Sequence, residues 1–407
     1  MAGFPHAARQ WKIAILGTRG IPGRYGGFET FADELSRRLV ERGNDVVVYC
    51  RKPFTSPADT YDRRIRRVIL PTISNKYLDT LFHTFLSVCH VVFTSADVLL
   101  ICNVANSPLA WIPRVVGKPT ALNVDGLDRT RRKWNVVGRW FLQFCEYLSL
   151  FTPTRVVTDA LEIQKYYKAR YGKDSSMIGY GASPRADDRG VSEFNLRTRR
   201  YILYVARLEP ENNPELVIRA YRALKTDWPL VVVGDNSYRP AYVEHLKSLA
   251  DERVVFTGAI YDERYWALQN NAGAFVFAGE VGGIHPALIE AMAAGSAVLY
   301  LDTPANRETA GPCGLLFHRN PEDLAKKLDQ LLRNPDWVQG LRHHAREFAV
   351  KTYSWENVVD QYERLFADML AGRGTTEGSP SVSGAVNGRL TGVEENQVSS
   401  SWSDTTR

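Results

Sequence analysis

Residues 12–49, KIAILGTRGIPGRYGGFETFADELSRRLVERGNDVVVY, decide the fold. The short apolar run Lys12–Leu16 predicts a buried parallel strand, and a glycine-rich loop follows it. Apolar residues at four-residue spacing then predict an amphipathic helix, and they are Phe31, Leu35 and Leu39. The run Asp45–Tyr49 predicts the next strand. A strand, a helix and a second strand in this order form a βαβ unit, which predicts a parallel sheet.

The same alternation continues on both sides of a polar stretch, residues 182–200, which we interpret as a linker. Further strands are predicted before it at Val98–Cys102, Thr120–Val124 and Arg155–Thr158. A second series after it has strands predicted at Tyr201–Val205, Pro229–Val233, Val254–Phe256, Ala274–Phe277 and Ala297–Leu301. The fold class predicted is therefore α/β, with two Rossmann-like domains in tandem. We expect a leader over 1–11, domains over 12–185 and 186–352, a helix over 353–370 and a disordered tail over 371–407.

The composition is that of a globular protein, with 44% hydrophobic and 24% charged residues, and this excludes a wholly disordered chain. The five cysteines form no CxxC pair, so neither a disulfide framework nor a zinc site is indicated, and we expect a reducing cytoplasmic setting. No signal peptide is evident at the N-terminus. The most apolar region, residues 84–105, is interrupted by polar residues, so no membrane-spanning helix is expected.

Charge is distributed unevenly, with a net +11 in residues 1–190 and −5 in residues 191–407. Basic runs at Arg63–Arg67 and Arg129–Lys133 indicate either a solvated basic face or an anionic partner. An anionic membrane surface is favoured over nucleic acid, because Trp134, Trp140 and Phe141 follow the second run and no nucleic-acid motif is found. The apolar stripe in this region is predicted to form core or interdomain packing rather than an acceptor groove, and it comprises Trp140, Phe144, Tyr147, Leu148 and Phe151.

The loop over residues 17–28 lies where backbone amides and a helix N-terminus can hold an anion. It matches neither GxGxxG nor a Walker motif, which disfavours a nicotinamide site and a P-loop. The alternative is a glycine-rich turn without a ligand. Against it, Arg19 and Arg24 would repel each other unless an anion or a carboxylate accompanied them.

A second candidate site is Gly279–Gly295, GEVGGIHPALIEAMAAG, where a strand ends, glycines turn and a proline opens a helix. The amides of Gly283, Ile284 and His285 would then face a ligand above the sheet, which suits a diphosphate. Arg207, at the carboxyl end of another predicted strand, is the candidate cation for that diphosphate. For His285 the alternative is a simple helix N-cap.

Several strings together resemble one family. The Gly26-Gly27 loop, Arg207-Leu208, the segment from Gly282 to Gly295 and Tyr353-Ser354-Trp355-Glu356 are similar to those of retaining nucleotide-sugar glycosyltransferases of family four, which have the GT-B architecture. Within that family, the strings GTRGIP, YGGFET, NVDGL and RLEPENN resemble the rhamnosyltransferase subfamily of bacterial polysaccharide assembly.

The resemblance implies a GT-B fold over residues 12–370, with two Rossmann-like domains facing across a cleft and a final helix that crosses back to the first domain. It implies that Arg207 contacts the donor diphosphate, Glu290 holds the ribose, and Gly26 and Gly27 approach the phosphates. Gly258 and Ile260 would lie at the edge of the base. Asp125 would face the reacting sugar, although an aspartate that merely turns the chain is the alternative.

Some positions depart from the family pattern. Gly282 stands where the broad family has the first of two glutamates, Glu280 lies two residues earlier, and Asn212 replaces the usual diphosphate-binding lysine. Ile284, His285 and Ala287 stand where the subfamily commonly has threonine, asparagine and serine, which leaves the sugar open.

The function expected is a retaining, metal-independent transfer of rhamnose or a related hexose from a dTDP- or UDP-sugar, with no further cofactor. The expected acceptor is a saccharide, in particular a lipid-linked one at the inner face of the membrane, and no nucleic acid is expected as a partner. The alternatives are a nucleotide-sugar epimerase or phosphorylase, and a non-catalytic partner protein of the same fold.

Overall fold

The computed structural model describes residues 10–23, 26–73, 75, 78–124, 126–131, 134–182, 190–236 and 238–372. Two parallel sheets organise them. The first sheet has seven strands: β1 Lys12–Leu16, β2 Asp45–Arg51, β3 Ile65–Leu70, β4 Val98–Cys102, β5 Thr120–Val124, β6 Arg155–Thr158 and β7 Ser176–Met177. The helices between these strands are α1 Gly27–Glu41, α2 Asp79–Val91, α3 Trp111–Val115, α4 Val136–Leu148 and α5 Leu161–Tyr171.

The second sheet has six strands: β8 Ile202–Val205, β9 Leu230–Val233, β10 Val254–Gly258, β11 Ala274–Phe277, β12 Ala297–Leu301 and β13 Leu315–Phe317. The helices that accompany it are α6 Pro214–Arg222, α7 Pro240–Leu249, α8 Glu263–Asn271, α9 Pro286–Ala293, α10 Pro304–Ala310, α11 Pro321–Leu332 and α12 Pro335–Thr352. A last helix, α13 Trp355–Ala371, follows. The two parallel sheets confirm the predicted α/β fold class with two Rossmann-like halves.

The strand orders show where the direction of strand addition reverses in each sheet. The first sheet runs β3-β2-β1-β4-β5-β6-β7 and the second runs β10-β9-β8-β11-β12-β13. The order therefore reverses between β1 and β4 in one sheet and between β8 and β11 in the other. Ligands of open α/β sheets bind in the crevice outside the carboxyl ends of the strands at such a point. The loops after these four strands are where the site should form.

Sequence reasoning missed strands β3, β7 and β13. Strand β3 begins inside the first basic run, at Ile65, and the arginine pairs on either side of that residue hide the strand pattern. Two arginines of the run have local partners: Arg64, just before β3, forms an ion pair with Asp62 at 2.6 Å, and Arg67 lies over the ring of Tyr61. This run is therefore partly engaged locally and is a weaker indication of an anionic partner than the sequence implied.

Helix α13 returns to the first sheet's half of the molecule. Asn123 of β5 donates from Nδ2 to the hydroxyl of Tyr362 at 2.9 Å, and the Phe31 and Tyr362 ring centroids lie 5.5 Å apart. At the edge, Arg42 forms ion pairs with three acids of α13, which are Glu356, Asp360 and Glu363, at 2.6, 2.6 and 2.9 Å. The last helix thus ties the two halves together and limits how they face each other.

Candidate active site

A cleft of about 1410 Å³ separates the two sheets, and residues of both halves line it. The loop after β1 and the start of α1 form one wall, and the loops after β8, β9, β10 and β11 form the opposite one. Both walls are thus built at the carboxyl ends of strands next to the reversal points. This is the position in which parallel α/β sheets bind ligands.

Two helix N-termini converge at the centre of the cleft. A Cβ at Gly27, the first residue of α1, would lie 3.4 Å from Cγ of Pro286, the first residue of α9. The amides of Gly27, Phe28 and Ala287 donate to no acceptor in the described part of the chain, as expected in the first turn of a helix. Both helix dipoles therefore direct partial positive charge at one place, which suits a diphosphate.

The glycine-rich loop before α1 is held by carboxylates of that helix. The amide of Arg19 donates to Oε1 of Glu29 at 2.9 Å, and the amide of Gly23 donates to Oδ2 of Asp33 at 3.0 Å. Glu29 thus binds the loop backbone, whereas the guanidinium of Arg19 lies over the ring of Phe54, with its Cζ 4.5 Å from the ring centroid. Arg24 lies outside the described residues. Any anion here would meet the start of α1 at Gly26 and Gly27, which both line the cleft.

The turn between β11 and α9 contains two glycines at positions where neighbouring side chains leave no room for a Cβ. A Cβ at Gly282 would lie 2.5 Å from Cε1 of His285, and a Cβ at Gly283 would lie 2.2 Å from Oδ1 of Asp159 in the first half. A side chain at position 282 would therefore collide with the His285 ring. This explains in steric terms why no glutamate stands at Gly282. Gly283 packs against Asp159 and lies outside the cleft lining, whereas Gly282 and Ile284 line it.

His285 is buried at the base of this turn, with 8% of its surface exposed. Its ring centroid lies 4.6 Å from that of Phe277, and its Nε2 has no hydrogen-bond partner in the described residues. Burial, and secondly the charge of Arg131, lower the pKa of His285 to about 3. His285 occupies the N-cap position of α9, but its side chain makes no capping hydrogen bond. His285 is a neutral imidazole that lines the cleft.

Arg207 follows β8 and is exposed in the cleft wall. Its guanidinium forms no ion pair within the described ranges, so its charge is available to a ligand. Asn212 sets the course of this loop: its Nδ2 donates to the carbonyl of Arg207 at 2.7 Å, and its own carbonyl accepts from the hydroxyl of Tyr204 at 2.7 Å. The side-chain amide of Asn212 therefore shapes the loop that carries Arg207. Unlike a lysine at this position, it adds no positive charge to the cleft.

Glu290 lies in α9 with 8% of its surface exposed and lines the cleft. Its Oε2 accepts from the hydroxyl of Tyr265 at 2.5 Å, and that hydroxyl accepts from Nε2 of Gln269 at 2.9 Å. Burial, and then the carboxylate of Glu290, raise the pKa of Tyr265 well above its ordinary value, so the phenol stays a donor. Tyr265 and Gln269 thereby fix the orientation of the carboxylate, a pair that the sequence reasoning missed.

Glu280 does not face the cleft. Its Oε1 accepts from Nε of Arg319 at 2.9 Å and from Nδ2 of Asn213 at 2.8 Å. It is not among the lining residues. Glu280 therefore does not take the place of the glutamate that is missing at Gly282.

The remaining predicted site residues are distributed as follows. Ile260 lines the cleft together with Ala259, whereas Gly258 ends β10 behind the lining. Gly258 has a φ of +71°, a conformation that favours glycine, and its carbonyl accepts from the amide of Gly234. Asp125 lies outside the described residues.

The wall of the first half carries a cluster of paired charges that the sequence did not reveal. Asp33 accepts from the hydroxyl of Tyr61 at 2.6 Å and pairs with Nε of Arg37 at 2.7 Å. Arg51, whose side chain is 3% exposed, pairs with Asp79 at 2.6 Å, and burial lowers its pKa. Such paired carboxylates and guanidinium groups offer both donors and acceptors to a hydroxyl-rich ligand. Their wide spacing in the sequence hid them.

Within the described ranges, no group of three or more His, Cys, Asp or Glu side chains is arranged to hold a metal ion. In the same ranges, no helix combines the length and the apolar character that crossing a bilayer requires.

Comparison with protein families gives two matches. Residues 188–355 match the model described as glycosyl transferases group 1, and residues 10–64 match a domain of unknown function, DUF1972. The first covers the second sheet and its cleft wall, including Arg207 and Glu290. The second covers the glycine-rich loop and α1.

Among curated proteins, the chain is similar to the serotype-specific mannosyltransferase WbdA of Escherichia coli, with 26% identity over 51% of this chain and 27% of that protein. It is also similar to the N-acetylgalactosamine-N,N'-diacetylbacillosaminyl-diphospho-undecaprenol 4-alpha-N-acetylgalactosaminyltransferase of Campylobacter jejuni, with 34% identity over 25% of this chain and 28% of that protein. The chain thus spans little more than a quarter of either relative.

Among solved structures, the sucrose-phosphate synthase of Thermosynechococcus elongatus superposes with a TM-score of 0.75. It is 20% identical, and the match covers 89% of this chain and 100% of that one. At this identity the likeness concerns the fold, and it extends over both halves and the cleft. The chain therefore has the GT-B fold, and its residues 188–355 form a glycosyl transferases group 1 domain.

Proposed function

We propose that the protein transfers a sugar from a nucleoside diphosphate sugar to a hydroxyl group of a saccharide acceptor in cell-surface polysaccharide assembly. The observation that carries the proposal is the convergence of three features in one cleft. Arg207 has no carboxylate partner in the described chain, two helix N-termini meet at Gly27 and Pro286, and Glu290 is held by Tyr265. Together they supply positive charge for a diphosphate and a fixed acceptor for sugar hydroxyls.

The donor would lie mainly against the second half. Glu290 accepts hydrogen bonds from the ribose hydroxyls, and Ile260 borders the base. The diphosphate lies between Arg207 and the helix N-termini, where hydrogen bonds to charged groups contribute about 1.5–3 kcal/mol each. Asp125 is proposed to face the reacting sugar. The group match over residues 188–355 supports this division of labour.

In the proposed reaction, the acceptor oxygen forms a bond to the anomeric carbon while the bond from that carbon to the diphosphate oxygen breaks. The diphosphate leaves with the electron pair of that bond, and the acceptor proton passes to it. Arg207 stabilises the negative charge that develops on the leaving group. Attack from the face of the departing diphosphate retains the anomeric configuration, and neither a side-chain nucleophile nor a metal ion takes part.

For the donor we favour dTDP-rhamnose or a related dTDP- or UDP-hexose, on the subfamily strings quoted above. The names of the two curated relatives refer to mannosyl and N-acetylgalactosaminyl transfer, which supports a hexose in general. For the acceptor we favour a lipid-linked saccharide on the inner face of the membrane. The name of the Campylobacter jejuni relative, which contains diphospho-undecaprenol, supports that class.

The test is a transfer assay with dTDP- and UDP-sugars, with and without saccharide acceptors, in which products are separated and their anomeric configuration is read by NMR. We expect release of the nucleoside diphosphate to depend on the acceptor and to fall at least about 100-fold in Arg207→Ala, since a charge at the leaving group is worth several kcal/mol. Arg219→Ala, which removes a surface arginine paired with Glu215, is the matched control and should keep full activity.

Each alternative has its own signature in the same assay. An epimerase would convert the donor without an acceptor, and a phosphorylase would require phosphate. A non-catalytic partner protein, suggested by Gly282 and Asn212, would turn over no donor at all. Full activity of Arg207→Ala would refute the role given to Arg207.

A further inference from the structure

Helix α4 exposes a continuous apolar side. Its buried side consists of Gly138, Leu142, Cys145 and Glu146. Its opposite side carries four large apolar residues spaced by three or four positions: Val136 is 67% exposed, Trp140 69%, Phe144 54% and Tyr147 52%. A fifth, Phe151, lies just beyond the helix and is 61% exposed. Such spacing places them on one face. The sequence analysis predicted the stripe of Trp140, Phe144, Tyr147, Leu148 and Phe151 to form core or interdomain packing, and for its four aromatic residues that prediction is wrong.

The apolar side continues onto neighbouring elements. Arg114 of α3 donates to the carbonyls of Phe151 at 2.6 Å and Thr152 at 2.9 Å, so α3 lies beside the end of α4. Nζ of Lys118, three residues after α3, donates to the carbonyl of Thr94 at 2.7 Å, so the loop after α2 lies beside the end of α3. These elements also expose large apolar residues, namely Phe93, Trp111, Val115 and Val116, at 91, 49, 70 and 52%. We call these nine residues, from Phe93 to Phe151, the aromatic surface.

The charged side chains that α3 and α4 expose are both positive, one arginine on each helix. The single acid of α4, Glu146, is buried and accepts hydrogen bonds from Arg129 at 3.1 Å and Tyr166 at 2.6 Å. Arg114 and Arg139 are exposed at the edges of the aromatic surface. Aromatic residues beside basic ones match the interface of an anionic bilayer, where each Lys or Arg near the surface contributes attraction.

The same helix borders the cleft. Val137, Phe141 and Leu142 of α4 line it, one helical step from the exposed side. A molecule held at the aromatic surface would therefore lie next to the cleft opening on the acceptor half. A second copy of the chain fits this surface less well, because a two-fold interface would place the same basic residues opposite each other.

We propose that the aromatic surface docks on an anionic phospholipid bilayer and that this contact presents lipid-linked acceptors to the cleft. The acceptor part of this inference rests on the proposed function, whereas the docking itself does not. The aromatic side chains would lie at headgroup level, and the basic residues at the edges would contact lipid phosphates. The attraction weakens as salt increases because the basic component is screened.

The test is flotation of the full chain with vesicles of phosphatidylethanolamine and phosphatidylglycerol, compared with vesicles of phosphatidylcholine alone. The variant Trp140→Ser, Phe144→Ser, Phe151→Ser should show a vesicle partition coefficient lower by about tenfold or more, since several apolar side chains no longer enter the interface. The matched control is Trp337→Ser on α12, which removes a tryptophan that is 41% exposed elsewhere. It should bind vesicles as the wild type does.

Two results would overturn the inference: vesicle binding that is unchanged in the triple variant, or a wild-type dimer in vesicle-free solution that the triple variant converts to a monomer. Since the substituted side chains are exposed, the melting temperature should stay unchanged, which confirms that the variant is folded. The triple variant should also keep wild-type binding of UDP or dTDP. If the triple variant loses vesicle binding but the wild type turns over no nucleotide sugar, the proposed function is refuted and the docking surface is supported.

Discussion

Gly282 and His285 should behave as a coupled pair, because one occupies the space that a side chain at the other position would need. The substitution Gly282→Ala places a Cβ 2.5 Å from Cε1 of a ring that is 8% exposed and confined by Phe277. Overpacking of this kind costs about 1–3 kcal/mol. We therefore expect Gly282→Ala to lower the free energy of unfolding by that amount and to weaken nucleotide binding at the displaced turn.

The double variant Gly282→Ala, His285→Ala isolates the cause. Removing the ring opens the space, so Gly282→Ala should cost about 1–2 kcal/mol less in the His285→Ala background, and this difference is the coupling energy. Any backbone cost of alanine at this position is common to both backgrounds and cancels in the cycle. Stability is measured by urea denaturation of all four proteins, followed by circular dichroism, with binding of UDP and dTDP by titration calorimetry.

The reasoning would be refuted by a cost of Gly282→Ala that is the same with and without the imidazole. The absence of a glutamate at position 282 would then have a cause other than the His285 ring. A useful comparison is Gly340→Ala in α12, where a Cβ would meet nothing within 4 Å, and which should be tolerated in every background.

Three further predictions concern other parts of the molecule. Tyr265→Phe removes the hydrogen bond to Glu290 and should weaken nucleotide binding by about 1 kcal/mol, roughly fivefold, in calorimetry, whereas an unchanged affinity would contradict the role of Tyr265. Burial lowers the pKa of His285 to about 3 and that of His83 to about 4, whereas a histidine of the unfolded chain has a pKa of about 6.5. Below a pH of about 6.5 the unfolded chain therefore binds more protons at these two positions than the folded chain does. Stability should fall as the pH decreases from about 6.5 towards these values, by at most about 1.4 kcal/mol per pH unit for each histidine, and urea titrations of the variant with both histidines replaced by glutamine should show a shallower slope. Arg42→Met breaks three ion pairs to α13 and should cost about 1 kcal/mol at low salt and less at 1 M salt, while an equal cost at both would indicate a packing effect.

Much of the fold could be predicted because local patterns were clear. Residues 12–49 form a βαβ unit as predicted. The apolar runs at Val98–Cys102 and Ala274–Phe277 are strands, again as predicted. Strand β3 was missed because its arginines, Arg66 and Arg67, break the apolar pattern from which a strand is predicted. The three-residue strand β13 is too short to produce a period.

The site was only partly accessible from the sequence. Arg207 and Glu290 could be proposed because each lies in a string that resembles the family, and the structure brings both to the same cleft. Contacts between distant segments could not be proposed, such as Tyr265 with Glu290 or Arg51 with Asp79. The exposed side of α4 was misjudged for a related reason: an apolar stripe shows that a helix has an apolar face, but the sequence does not show what covers that face.

The central claim is that the cleft binds a nucleoside diphosphate between Arg207 and Glu290. The most direct measurement is a thermal-shift series with UDP, dTDP and their sugars on the wild type, on Arg207→Ala and on Glu290→Ala. A ligand at 100 times its dissociation constant adds about 2.7 kcal/mol to stability, which is readily detected. We predict a rise in the melting temperature with at least one of these nucleotides that is reduced in both variants. No rise with any of them, or a rise that both variants retain in full, would contradict the account.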